Sequence, residues 1–402
     1  MFSTWEDHTN LFAASIRLLT IAGVTVFLPS VTAAQTNPRP SSQELHDAAG
    51  DIASDPGSID TSLSPRFTHK DVRAALKKVA DWELAHMGSR FTQDWTYAPL
   101  YSGLLATSQT LGERKYHDAV LRAAEGKFHW SLLTGRYDHA DDQAIGQTYE
   151  TLYDEKNEPL RIAAVQENFS QVLVRQDDPN KNLWWWCDAL YMAPPSLAMM
   201  SKLTGDRKYL DFMDHEWKLT TRHLYDPEQR LYSRDASFLD KREANGQKLF
   251  WSRGNGWVLA GTARVLAAMP KDYPARREYE ALFRRMADRI AGLQPADGLW
   301  RMGLLDQSAY PTGEVSGTGF FAYAMAWGVN NGLLDRAKYT PVIQKAWAGM
   351  LQHIYQDGRL GLIQPIGAAP GALQPGSSWA YGVGAFLLAG SEIDKMSSRR
   401  TP

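Results

Sequence analysis

The chain of 402 residues contains one cysteine, Cys187, so an internal disulfide is excluded. It also lacks a basic surplus, because 43 Lys and Arg residues stand against 45 Asp and Glu residues. A nucleic-acid-binding protein usually carries such a surplus, and we therefore expect no nucleic acid as a partner. Three further patterns are missing: a Cys/His grouping with zinc spacing, a phosphate-binding glycine loop and a Gly-x-Ser-x-Gly nucleophile motif. Together these absences favour acid/base chemistry without a metal or a cofactor.

The N-terminal apolar run, residues 18–28, is too short to cross a membrane as a helix, which needs roughly 20 residues. We therefore expect no membrane anchor. Arg17 precedes the run, and the small residues 31–34 after it resemble a signal-peptidase site. This pattern predicts a signal peptide over residues 1–34 and export to the periplasm, with secretion to the medium as the alternative. Glu6 and Asp7 are unusual at the start of a signal and leave open a translation start after Met1.

Residues 35–64 are rich in Ser, Asp, Pro and Gly, which predicts a flexible leader. From about Phe67 the apolar residues recur at helical spacing, and the first helix is predicted to start at Thr68 and to end at Gly88. The same spacing continues to about residue 393, and strand alternation is nearly absent. The sequence predicts one all-α domain over residues 65–395 and a tail over residues 396–402.

Two near-copies, residues 111–116 (LGERKY) and 204–209 (TGDRKY), indicate an internal repeat. In each, a helix ends at Gly and another begins on an acidic first turn. They start 93 residues apart, which fits two helical hairpins of about 45 residues each. Stacked hairpins closing into a toroid would give this spacing. Two unrelated corners with common capping chemistry are the alternative.

The segment around Asp188 is the first candidate for chemistry. This carboxylate follows Trp184, Trp185 and Trp186 and precedes a Pro-Pro pair that starts a helix. Apolar walls raise the pKa of a carboxyl group, which can then act as a general acid, while tryptophan faces stack on sugar rings. The residues alone leave open a core aromatic cluster in which Asp188 merely caps a helix.

A second cluster lies between Trp251 and Trp257, with Arg253 and Asn255 among glycines. Arginine binds carboxylates through two hydrogen bonds, and glycine lets the backbone approach a ligand closely. An anionic sugar is therefore the expected ligand. The alternative is an arginine lying along the barrel rim, with glycines that serve only the turn.

A third acidic element, Asp141 and Asp142, stands at a predicted helix start and could supply a partner for Asp188, although either residue could be a helix cap. Further along the chain, Trp300, Ser316 and Thr318 precede or begin an apolar helix. We expect these side chains to line the same mouth of the toroid.

Three motifs in order, residues 185–195 (WWCDALYMAPP), 250–257 (FWSRGNGW) and 381–388 (YGVGAFLL), resemble the unsaturated rhamnogalacturonyl hydrolases of glycoside hydrolase family 105. That family is related to the unsaturated glucuronyl hydrolases of family 88. The resemblance covers residues 67–393 and implies an (α/α)6 barrel of six helical hairpins.

The resemblance also implies roles for single residues. Asp188 falls on the family's acid, and the second active-site carboxylate falls on Asp141 or Asp142, with an ungapped reading slightly favouring Asp141. The substrate-contacting positions match Trp251, Arg253 and Trp257. Some members carry an active-site His in the segment that is residues 231–235 here, and we expect Arg234 to take over that contact.

The activity implied by the resemblance is release of an unsaturated uronic acid from the non-reducing end of lyase-generated pectin or rhamnogalacturonan oligosaccharides. The partner is thus an acidic unsaturated oligosaccharide, and the sequence carries no signal for an oligomeric state. Two alternatives are an inverting glycosidase acting on saturated glycans, with Asp141 or Asp142 as base, and a non-catalytic carbohydrate-binding protein.

Overall fold

Within the residues that the computed structural model describes, 41–133, 135–175 and 182–398, the chain is almost entirely helical. The predicted signal peptide lies outside the described residues, as do residues 399–402 of the predicted tail. The described residues all belong to one compact unit. None of the described helices is long and apolar enough to cross a membrane.

The described helices are, in chain order, α1 Ser42–Ala49, α2 His69–Met87, α3 Ala98–Leu111, α4 Arg114–Arg122, α5 Ala140–Gln143, α6 Gly146–Glu155, α7 Leu160–Leu173, α8 Ala189–Met192, α9 Pro194–Thr204, α10 Lys208–Leu224, α11 Ser252–Ala268, α12 Arg276–Ala291, α13 Val315–Asn330, α14 Arg336–Leu351 and α15 Ala380–Ser398. The described strands are short: β1 Gly50–Ile52, β2 Tyr225–Asp226, β3 Leu231–Tyr232 and β4 Ser377–Trp379. They form two antiparallel pairs, β1 with β4 and β2 with β3.

Six helices form a closed inner ring. The contacts run from α3 to α6, α9, α11, α13 and α15, and α15 packs back on α3. A second set of six, namely α2, α4, α7, α10, α12 and α14, packs against the ring from outside. Inner helices are buried nearly all round, as in α13, where all 16 residues are buried, whereas outer helices such as α12 bury one face. This arrangement confirms the predicted all-α (α/α)6 barrel.

The ring closes where two helices approach unusually closely. A Cβ atom placed on Gly384 of α15 would lie 2.3 Å from the carbonyl carbon of Pro99 in α3. Only glycine leaves room for that approach, so a larger residue at position 384 would push α15 away from α3.

The repeated corner motif has the predicted geometry. Gly112 ends α3 and Gly205 ends α9, both in the left-handed conformation with φ of 70° and 71°. The hairpin of α6 and α7 lies between these two corners along the chain. The 93-residue spacing therefore corresponds to two hairpin steps, as expected.

The prediction of a flexible leader is wrong for residues 41–64. Ser41 and Glu44 form a capping box at the start of α1, and β1 pairs with β4 in register Gly50 to Trp379. Ala49 is completely buried. Backbone pairing holds this segment on the barrel, and composition does not report such pairing. The domain also ends later than predicted, because α15 continues to Ser398.

Candidate active site

The candidate side chains gather at the end of the barrel where the inner helices begin. Asp188 immediately precedes α8, Asp141 lies in α5 just before α6, and Arg253 lies in the first turn of α11. Successive inner helices run in the same direction because an outer helix returns the chain each time. Their N-termini therefore meet at one mouth, where backbone N–H groups favour negative charge.

Asp188 is buried and does not cap a helix. It occupies the N-cap position of α8, but its side chain makes no capping hydrogen bond. Burial raises the pKa of Asp188, and the charge of Arg234, the thiol of Cys187 and the charge of Arg253 partly oppose that rise. The carboxyl group can therefore hold a proton at a higher pH than an exposed Asp, as a general acid requires.

The two neighbouring carboxylates of α5 have different surroundings. Asp142 is buried and accepts two hydrogen bonds from the guanidinium of Arg136, at 2.6 and 3.1 Å. The side chain of Asp141 is 19% exposed, and burial together with the charges of Asp94 and Asp188 raises its pKa to about 8. The cap of α5 is His139, whose Nδ1 accepts from the amide of Asp141. The geometry thus favours Asp141 as the partner of Asp188 and gives Asp142 a structural ion pair.

Asp94 lies near the candidate carboxylates and was not singled out from the sequence. It is buried before α3, and its Oδ1 accepts from the amide and the hydroxyl of Thr96. Its charge acts on both Asp141 and Arg136. The next residue, Trp95, stacks on Tyr381 of α15 with ring centroids 5.7 Å apart. Asp94 and Trp95 stand shortly before an inner helix, as Trp186 and Asp188 do, and an acidic residue close to a tryptophan at such a position was the available signal.

Two tryptophans form an aromatic platform beside these carboxylates. Trp185 is 50% exposed, whereas Trp186 is buried and lies 4.7 Å from both Trp185 and His139 by ring centroids. A cavity of about 220 Å³ adjoins the platform and is lined by Asp138, His139, Arg175, Asn182, Leu183, Trp185 and Trp186. An exposed indole next to a cavity suits stacking on a sugar ring.

Arg234 is a cation in contact with this platform. Its guanidinium lies 5.4 Å from the ring centroid of Trp185, and its Nη1 donates to Asp235 at 2.6 Å. The Nε atom is buried and has no partner among the described residues. Arg234 also acts electrostatically on Asp188. A guanidinium that has an unpartnered N–H group and lies near Asp188 is suited to bind an anionic group.

The two terminal nitrogens of the Arg253 guanidinium already have partners, whereas its buried Nε has none among the described residues. Arg253 is 1% exposed, and its two terminal nitrogens donate to the carbonyls of Gln364 and Pro365 at 2.8 and 2.9 Å. It also lies between the rings of Trp251 and Tyr381. In this arrangement Arg253 holds the segment 364–367 and contributes its charge to Asp188. A direct contact of Arg253 with substrate stays a prediction.

The remaining predicted contacts lie in the barrel wall. The side chain of Asn255 bonds to backbone groups of Tyr232 and Trp251, and the indole of Trp251 donates to the side chain of Gln364. Ser316 and Thr318 bond to Glu314 at the start of α13. Trp257 and Trp300 are completely buried. These side chains therefore belong to the wall of the barrel, and their contact with substrate also stays a prediction.

The raised pKa of Asp141 predicts a pH-dependent stability. Its ordinary value is 3.8 and its folded value is about 8, so between these values the folded state keeps a proton that the unfolded state has lost. The stabilisation is complete below about pH 4 and is lost as the pH rises toward 8. From pH 5 to pH 8, wild type should lose on the order of 2 kcal/mol relative to Asp141→Asn, allowing for partial exposure. Urea unfolding at both pH values measures this, and parallel changes in the two proteins would contradict it.

The described residues contain no group of three or more His, Cys, Asp or Glu side chains that could hold a metal ion. The candidate acid Asp188, the second carboxyl group of Asp141 and the guanidinium of Arg234 lie close enough at the mouth to act electrostatically on one another. Such a set can protonate an organic substrate and bind its negative charge.

Comparison with known proteins identifies relatives of this barrel. The sequence profile of Glycosyl Hydrolase Family 88 matches residues 67–397. An unsaturated 3S-rhamnoglycuronyl hydrolase from Formosa agariphila is 42% identical over 82% of this chain and 92% of its own length. A protein of the same name from Alteromonas sp. strain LOR is 31% identical over 83% of this chain and 88% of its own length.

The fold has a matching solved structure. A family 88 glycosyl hydrolase from Bacteroides vulgatus superposes with a TM-score of 0.78 at 31% identity, covering 82% of this chain and 99% of that one. The predicted relationship to the family 88 and family 105 enzymes is confirmed. The chain belongs to glycosyl hydrolase family 88 and is a glycoside hydrolase.

Proposed function

We propose that the protein removes an unsaturated uronic acid from the non-reducing end of oligosaccharides in which that uronate is joined to rhamnose, with Asp188 as the proton donor. The observation that carries this proposal is the buried carboxyl of Asp188 beside Arg234 at the mouth of the barrel. The names of the two curated relatives support a rhamnose-linked substrate. The predicted rhamnogalacturonan fragments belong to the same substrate class.

The chemistry is hydration of a double bond. The C4–C5 double bond of the substrate is part of an enol ether, and a proton from Asp188 adds to C4 and leaves an oxocarbenium ion at C5. The resulting carboxylate of Asp188 takes a proton from water as the water oxygen bonds to C5, which returns the acid to its starting state. The hemiketal so formed opens to a ketone at C5 and leaves a hemiacetal at C1. This hemiacetal collapses to an aldehyde as its C1–O bond to the remaining oligosaccharide breaks, and the oligosaccharide leaves as an alcohol.

The surrounding groups suit this sequence of steps. The Nε of Arg234 has no partner among the described residues, and the charge of Arg234 acts on Asp188, so this arginine is suited to bind the uronate carboxylate. Asp141, with a pKa of about 8, is neutral at pH 7 and can donate a hydrogen bond to a substrate hydroxyl. Trp185 offers an exposed face for the sugar that follows. Each group thus has a separate task, and Asp188 alone transfers the proton.

Replacing Arg234 by Met should raise KM at least tenfold, because a charge-assisted contact with the substrate carboxylate is lost. The pKa of Asp188 should also rise, since the nearby positive charge lowers it in the wild type. The pH profile of kcat should therefore extend to higher pH in the variant. Steady-state kinetics across pH measure both effects, and an unchanged KM would rule out this role for Arg234.

The substrate class is tested with a panel of disaccharides. Unsaturated rhamnoglycuronyl and unsaturated rhamnogalacturonyl disaccharides are incubated with the protein beside their saturated counterparts. The released rhamnose-containing product is quantified by chromatography. Cleavage confined to the unsaturated members supports the proposal, and the ratio of their kcat/KM values identifies the preferred uronate. Cleavage of the saturated members would favour the ordinary inverting glycosidase. Tight binding without cleavage in any member would favour a carbohydrate-binding protein.

We also propose that the protein is exported to the periplasm. Arg17, the apolar run at residues 18–28 and the small residues at 31–34 support this. The mass of the protein purified from cell fractions tests it: a periplasmic species beginning near residue 34 or 35 is expected. A cytoplasmic species that retains the apolar run would contradict export.

A further inference from the structure

The thiol of Cys187 lies directly against the proposed proton donor. Cys187 is completely buried, and its Sγ donates to Oδ1 of Asp188 at 3.1 Å. A thiol is a weak hydrogen-bond donor and a weak acceptor, and a protonated thiol facing a carboxyl oxygen acts as the donor. Burial and the neighbouring Asp188 raise the pKa of Cys187 well above its ordinary value, so the sulfur keeps its proton. Oδ1 is therefore always an acceptor, which leaves Oδ2 as the oxygen that carries the transferable proton.

The backbone around Cys187 fixes the position of the sulfur. The amide of Cys187 donates to the carbonyl of Arg234 at 2.8 Å, and Trp186 forms an antiparallel bridge with Asp235. On the other side, a Cβ placed on Gly254 of α11 would lie 3.0 Å from Sγ and 3.6 Å from Oδ1 of Asp188. The sulfur is thus enclosed by two segments that also carry Arg234 and Arg253.

We propose that Cys187 is a positioning residue that directs the transferable proton of Asp188 to Oδ2 and holds that oxygen toward the substrate. The inference rests on the proposed function, in which Asp188 is the acid. It concerns hydrogen-bond direction alone, because the buried thiol does not reach the reacting atoms and forms no covalent bond in the cycle.

Removal of the donor should change catalysis more than binding. In Cys187→Ala the carboxyl loses the bond that distinguishes its two oxygens, and kcat should fall about tenfold while KM stays near the wild-type value. The alkaline limb of the pH profile should move to higher pH, because the thiol hydrogen bond lowers the pKa of Asp188 in the wild type. Cys187→Ser restores a donor of similar size and should recover most of the kcat and the wild-type pH profile.

A matched control is available deeper in the barrel. The hydroxyl of Ser196 donates to Oε1 of Glu150 at 2.7 Å, and both residues are completely buried. Burial raises the pKa of Glu150 well above its ordinary value, as burial raises that of Asp188. Ser196→Ala therefore removes an equivalent buried hydrogen bond at a carboxyl outside the mouth. It should leave the pH profile of turnover unchanged.

The experiment compares wild type, Cys187→Ala, Cys187→Ser and Ser196→Ala by pH-dependent kinetics and by carbon-13 titration of labelled aspartate carboxyls, with Asp188 assigned from the signal missing in Asp188→Asn. The expected result is an upward titration shift in the Ala variant only. An unshifted Asp188 signal in Cys187→Ala, or a Ser variant as impaired as the Ala variant, would overturn the positioning role.

If wild type turns over none of the unsaturated substrates, the proposed function fails, and the titration alone still decides the hydrogen-bond assignment. If the Ala variant does not fold, a Ser variant with a shifted pH profile overturns the role.

Discussion

Asp188→Asn is expected to lower kcat by a factor of roughly 10² to 10⁴, the usual contribution of a general acid or base. The amide keeps the shape of the carboxyl but has no transferable proton, so the first step at C4 cannot proceed. Substrate affinity should change little, because binding is assigned to Arg234, Asp141 and the tryptophan platform. Single-turnover kinetics and calorimetric titration with intact substrate measure the two effects separately.

The control for this variant is an aspartate far from the mouth. Asp211 is exposed on α10 and pairs with Arg207, so Asp211→Asn should retain wild-type turnover. Thermal unfolding of both variants checks that the barrel is intact. Turnover by Asp188→Asn within tenfold of wild type would remove Asp188 from the role of proton donor.

The second large effect concerns the choice between Asp141 and Asp142. If neutral Asp141 donates a hydrogen bond to substrate, Asp141→Ala should lose roughly 10² to 10³ in kcat/KM, as is typical for loss of one well-placed donor. Asp141→Asn keeps an N–H donor and should retain much more activity than the Ala variant. Steady-state kinetics at pH 7 compare the three proteins, and equal losses in the two variants would show that Asp141 acts as a carboxylate instead.

Asp142→Asn provides the neighbouring comparison. This change removes the charge that holds the Arg136 guanidinium, and we expect it to reduce stability by about 1 to 3 kcal/mol, because the remaining arginine loses its ion-pair partner. Its kcat at a temperature where the barrel is folded should fall less than that of Asp141→Ala. The opposite order would exchange the roles of the two residues.

The barrel could be predicted from sequence because its information is local and repeated. Apolar spacing marks each helix, and the two glycine corners set the hairpin period. The pairing of β1 with β4 joins segments more than 300 residues apart, and no local sequence pattern predicts such a contact.

The acid could also be predicted, because a carboxyl group among tryptophans is costly to bury and such a position favours a role in chemistry. The sequence cannot tell which of the neighbours Asp141 and Asp142 faces the mouth. Successive side chains on a helix point in different directions, and the position of Arg136 in the fold decides which carboxylate forms the ion pair. Asp94 resembles an ordinary helix-start Asp-x-Thr turn and so passed unnoticed. The hydrogen bonds of Arg253 could not be predicted, because its partners are backbone carbonyls in the segment 364–367, and every residue type has a backbone carbonyl.

The most direct measurement of the central claim follows two signals in one reaction, the ultraviolet absorbance of the conjugated double bond and the release of the rhamnose-containing product, for an unsaturated disaccharide and its saturated counterpart. Hydration precedes release in the proposed chemistry, so absorbance should fall ahead of or together with product release, only for the unsaturated sugar and not with Asp188→Asn. Product release that precedes the loss of absorbance, or comparable cleavage of the saturated sugar, would contradict the account.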